Sequence, residues 1–191
     1  MIIWKIIINA LPEISKIMEQ YIKDTIVKYG WEILLSDLFQ SGFDQIHHYK
    51  TTVGEHALGV TANAVKLCFR YNLTDESTLS NVVTSCLCHD LSLIGRDGKY
   101  RNNLESLIRH PLHSAEIYTD LTGEEEERVL DAIRSHMFPL KPNIPKHREG
   151  WILTLADKMS SSTDILNISH VTMEEREELY KMAKKEKKRH Q

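Results

Sequence analysis

The sequence predicts an all-α protein, and three observations carry that prediction. Apolar residues recur at helical spacing in long segments, as in Ile14, Ile17, Met18, Tyr21 and Ile22. Prolines, glycines and capping residues punctuate those segments where helices start and stop. No segment shows the sustained apolar–polar alternation of a half-buried strand.

The elements follow in order. A first helix is expected from Pro12 to about Gly30, then a short one from Trp31 to Phe39 closed by Ser41 and Gly42. A third runs from Val53 to Tyr71, with apolar residues at 57, 58, 60, 64, 65, 67 and 68. Asp75 and Glu76 open a segment that reaches about His89, with Thr74 as its cap. The stretch from Ser92 to Asn103, with Gly95, Gly98, Asn102 and Asn103, reads as a loop. His110-Pro111 reads as a helix start, because proline fits a first turn where its missing N–H costs nothing. Gly123-Glu124 opens another helix, acidic at its start as the helix dipole favours. Pro139, Pro142 and Pro145 make a rigid loop after His136. Glu149 to about Asn167 is again helical. Thr172 to Lys188 is a charged final helix whose basic end reads as a solvated terminus.

The 191 residues suit a single domain. With 41% hydrophobic and 27% charged residues, the chain can bury a core without disulfides. A formal net charge of -3 offers no basic field, so nucleic acid is not an expected partner. Cys68, Cys86 and Cys88 are an odd set in apolar surroundings. They read as reduced, buried thiols of a cytoplasmic protein, and the lone C-x-C has no second pair to complete a zinc site. The apolar start, Met1 to Ile8, is too short for a membrane span of about 20 residues. It also lacks the charged start and cleavage site of a secretory signal. It suits a homodimer contact as well as it suits the core. No membrane partner is expected.

Ten histidines are many, and several stand beside acids in a distinctive order. His56 lies on a helix, His89-Asp90 at the end of a later one, and Asp157 on a still later one, with His110 and His136 between. Imidazole and carboxylate together suit ions such as Fe, Mn, Co or Zn, whereas an all-oxygen set suits Mg. Adjacent His89 and Asp90 would diverge by about 100° on a regular helix, so a helix end is needed to turn both inward. A carboxylate has two oxygens and can serve two ions.

This H…HD…H…H…D order, with His110-Pro111 and Ala156-Asp157-Lys158, resembles the HD-domain metal-dependent phosphohydrolases from about His48 to Ser160. The resemblance implies an HD-domain helical bundle over 46–168, with N-terminal flanking helices in 1–45 and a charged C-terminal helix in 169–191. It implies that His56, His89, Asp90 and Asp157 hold one divalent metal. His110 and His136 would add a second, with Asp90 bridging. Two ions are the preferred count, Fe or Mn first, with Co, Zn and Ni also suitable. Asp90 and His89 are the expected catalytic pair. Lys158, His48 and Arg148 are the candidate substrate contacts, and His113, one turn from His110, is read as a non-ligand.

Such a metal pair can polarise a phosphoryl oxygen and activate a water, so no Ser or Cys nucleophile is required. Neither a Gly-rich phosphate loop nor a G-x-S-x-G elbow is present to compete. The expected activity is hydrolysis of a phosphate ester or anhydride, on a nucleotide or another small phosphorylated molecule. Two other classes remain open: a di-iron oxygenase using the same six ligands, and a non-catalytic nucleotide-binding module.

Overall fold

Ile22, Ile26 and Ile33 lie one or two helical turns apart and are all buried, so one stripe of the first helix is drawn into the core. The computed structural model describes residues 2–48, 50–96, 98–165 and 171–191, excluding the side chains of 2–11, 48, 163 and 165. Helix α1 spans Ile2–Leu35 without a break, passing both Pro12 and Gly30. This corrects the expected division at Gly30. That glycine lets α1 lie close to a neighbour, because a methyl there would collide with Leu87 and press on Val83. The chain breaks instead at Ser36, whose hydroxyl accepts from Phe39 N–H at 3.2 Å and starts α2 (Asp37–Ser41).

A small antiparallel hairpin follows, β1 (Ile46–His48) with β2 (Thr51–Thr52). Strands of three and two residues are too short to show a period, which is why alternation failed to announce them. Helix α3 (Val53–Arg70) begins in a capping box. Glu55 N–H donates to Thr52 Oγ1 at 3.2 Å, and Thr52 N–H donates to Glu55 Oε2 at 2.8 Å. Thr52→Ala is expected to lower the unfolding free energy by about 1 kcal/mol. Denaturant titration checks this, and an unmoved midpoint would show that the box contributes nothing.

Helix α4 (Glu76–Cys88) is capped by Asp75, whose carboxylate accepts from Thr78 N–H at 3.0 Å, so Asp75 rather than Thr74 is its cap. After a single 3-10 turn at Leu91–Leu93, α5 (Asn103–Thr122) starts eight residues earlier than Pro111 suggested. Asn102 caps it, accepting from Glu105 N–H at 2.9 Å, and Pro111 lies within the helix. Gly123 ends α5 in a left-handed conformation instead of opening the next helix. Helices α6 (Glu127–Ser135), α7 (Arg148–Ile165) and α8 (Met173–Lys187) complete the described elements.

The fold is an all-α bundle, as the sequence predicts. Helix α3 packs against α4 and α7, and α6 packs on α7 and α5. Val60, Ala64, Val82, Cys86, Ala132 and Leu153 fill the space among α3, α4, α6 and α7. A second body of side chains, including Ile26, Leu87, Tyr118 and Leu179, joins α1 to α4, α5 and α8. All three cysteines are free and buried, in line with packing roles, and burial pushes the Cys68 thiol up to about 11. Among the described residues no helix is long and apolar enough to cross a membrane.

Candidate metal centre

Helices α4 and α6 each end on a histidine. The last carbonyls of a helix have no partner within it, and an imidazole at the C-cap can satisfy one. His89 Nδ1 lies 2.7 Å from the Cys86 carbonyl, and His136 Nδ1 lies 2.7 Å from that of Ile133. His110, in the middle of α5, repeats the contact with the Ser106 carbonyl at 2.8 Å. His56 Nδ1 is 2.8 Å from Asp164 Oδ2. A carbonyl or an ionised carboxylate only accepts, so in each ring Nδ1 carries a proton. The Nε2 lone pair of the neutral ring is then left to face inward.

These four Nε2 atoms converge on two carboxylates. As α4 ends, the chain leaves helical geometry at Asp90 (φ -118°, ψ 10°), which turns this side chain toward its neighbour His89. Asp90 Oδ2 lies 3.4 Å from His89 Nε2 and 3.9 Å from His56 Nε2, while Oδ1 lies 3.3 Å from His110 Nε2 and 3.6 Å from His136 Nε2. Asp157, on α7, places Oδ1 3.2 Å from His56 Nε2. All six residues expected to be ligands are buried and meet in one cluster.

The donor atoms fit a metal site. Those of His56, His89 and Asp157 lie within 4.8 Å of one another, as do those of His89, Asp90 and His136. His89 Nε2 and Asp90 Oδ1 are buried and make no hydrogen bond. His110 and His136 point Nε2 at each other across 3.1 Å, although both Nδ1 atoms are committed to carbonyls. Two lone pairs at that distance repel unless a cation lies against them. Nitrogen and oxygen donors in this mixture suit a borderline divalent ion.

Protonation shows the same demand. Burial opposes a charge on His56, yet hydrogen bonds to Asp157 and Asp164 outweigh it and push its pKa up to about 10. His136 is pushed down to about 3, by burial first and by His89 and His110 beyond it. Burial alone would raise Asp157 and Asp90; the imidazoles around them hold both well below the usual carboxylate range. An ion bound between His56 and Asp157 would displace the proton that joins them.

The cluster lies at the floor of a cleft of about 510 Å³. Lys158 lines it and donates to Asp157 Oδ2 at 2.7 Å. Arg148 does not line it. Its guanidinium bonds Asp75 at 3.0 Å and also Thr78, at the start of α4, whereas His89 stands at the other end. A helix of 13 residues separates them by about 20 Å. The expectation of a substrate contact at Arg148 is corrected accordingly, because helical reach points it away from the cleft. The His48 side chain lies outside the described residues. His113 stacks on Tyr100 and takes no place in the cluster.

His47, which stands with His48 shortly before His56 near the expected mouth of the site, was given no role by the sequence reading, and Asp164 escaped it altogether. His47 Nε2 lies 3.2 Å from Asp90 Oδ2, brought there by the hairpin that sequence periodicity missed. Burial lowers its pKa. Asp164 was legible in principle: seven residues after Asp157, it shares that residue's helical face.

Fold and site together define a helical bundle with a buried His/Asp cluster that could hold metal ions. The HD domain family matches residues 53–162, and the chain belongs to that family. Comparisons with curated proteins and with solved structures returned no match.

Proposed function

We propose that this protein hydrolyses a phosphate ester or anhydride of a nucleotide or another small phosphorylated molecule, using two divalent ions. Fe or Mn is favoured, with Co, Zn and Ni as alternatives. The observation that carries the reading is Asp90: one carboxylate oxygen faces His56 and His89, and the other faces His110 and His136. One ion would be held by His56, His89, Asp157 and Asp90, and the other by His110, His136 and Asp90. Bound there, the ions would polarise a phosphoryl oxygen and lower the pKa of a water toward neutrality.

The chain's own groups prepare that chemistry. Carbonyls behind His89, His110 and His136 keep each ring in one tautomer and one orientation. Lys158 holds Asp157 in place and presents positive charge to the cleft. Burial of His56, His89 and His136 excludes bulk water from the floor, which strengthens every electrostatic contact made there.

The test is phosphate release from nucleotides, dinucleoside polyphosphates and sugar phosphates, with protein loaded anaerobically with Fe(II), Mn(II) or Co(II). Release that depends on Asp90 is expected. Silence across that panel with metal bound would overturn the reading, and a product formed only with O2 would place the chain among oxygenases.

A further inference from the structure

Among the charged side chains that line the cleft, Arg96 has no hydrogen-bond or ion-pair partner among the described residues. Asp90 stands among imidazoles, and Lys158 is bonded to Asp157. Arg96 makes no side-chain hydrogen bond or ion pair among the described residues, although it is only partly exposed. A guanidinium offers a rigid fork of donors suited to phosphate oxygens.

The backbone that carries this side chain is held in place. Gly95 takes a left-handed conformation (φ 65°), and its N–H donates to Gln45 Oε1 at 3.2 Å. Arg96 N–H bonds the Leu93 carbonyl at 3.2 Å, and Lys99 N–H returns to the Arg96 carbonyl at 3.0 Å. Lys99 Nζ also ties this turn to the Ser92 carbonyl at 3.2 Å. A turn pinned at four points presents a cation that no side chain among the described residues pairs with. Asn103 and Ser106, on the first turn of α5, line the same cleft.

We infer that Arg96 binds a second anionic group of the substrate, so that the preferred substrate is a di- or polyphosphate rather than a simple monophosphate. The inference rests on the hydrolase reading only in taking the metal cluster as the seat of the phosphoryl group attacked. Arg96 acts as a specificity-determining residue and makes no side-chain hydrogen bond or ion pair with the cluster among the described residues.

Calorimetry on Mn-loaded protein tests it with two unhydrolysable probes, methylenediphosphonate and methylphosphonate, which differ by one anionic group. Wild type is expected to bind the diphosphonate about tenfold tighter or more, the weight of one hydrogen-bonded charge. Arg96→Ala should abolish that preference while leaving methylphosphonate affinity and metal content unchanged, and Arg96→Lys should restore part of it. Arg96→Gln, which keeps the stem, serves if the alanine variant loses its fold. Equal weakening of both probes, or an unchanged preference, would overturn the assignment, as would wild type failing to tell them apart. An Arg96-dependent preference in a protein that hydrolyses nothing would leave this inference standing and bring down the hydrolase reading. Asp90-dependent turnover without the preference would do the reverse.

Discussion

Asp90→Asn protein is expected to fold, to bind less than the full complement of metal, and to lose phosphate release by at least about 10²–10³-fold, the scale on which a single preorganised electrostatic contact is felt. Asparagine keeps the shape of the side chain. It removes the charge and turns one of two oxygens into an amide nitrogen that donates and cannot ligate. Because the two oxygens of Asp90 face different imidazoles, the substitution strikes both halves of the centre at once. Elemental analysis of metal per chain, beside phosphate release at saturating Mn(II), checks this. An Asp90→Asn protein with full metal content and full turnover would remove Asp90 from the centre of the chemistry.

Asp164→Asn is expected to weaken metal binding by about 10–100-fold, the cost typical of losing a group that orients a ligand. Asp164 does not line the cleft; it accepts from His56 Nδ1 at 2.8 Å on the side of the ring away from Asp157. Its charge raises the basicity of the ring and fixes which nitrogen faces the metal. Asparagine retains an acceptor oxygen without the charge, so it should cost less than Asp164→Ala, which also frees the ring to turn. The defect should appear as a raised metal requirement, with kcat recovered at saturating metal and the KM for substrate little changed. Competition against a fluorescent chelator measures the affinity directly. Unchanged affinity in both variants would mean that packing alone positions His56.

The six residues expected to be ligands could be picked out because their order along the chain does not depend on folding. His56, His89, Asp90, His110, His136 and Asp157 stand in the order that carried the resemblance, and all six meet in one cluster. Helix existence was equally legible from spacing. Helix ends were less so, since proline and glycine each serve more than one purpose. Pro111 lies inside α5 rather than at its start, and Gly30 marks a close approach between helices rather than a stop. In both cases a local preference yielded to packing.

By itself the sequence determined the all-α class, the HD pattern and the His and Asp side chains that gather in the cluster, because these depend on periodicity and on chemistry carried residue by residue. Only the tertiary structure decided which groups stand behind and beside those ligands. Asp164 reaches His56 across 108 positions of sequence, and His47 reaches Asp90 through a hairpin too short to leave a pattern. It also carried Arg148 to the far end of α4 and left Arg96 in the cleft without a side-chain partner among the described residues. Partner choice at a charged side chain depends on distances between elements, and no local spacing encodes those.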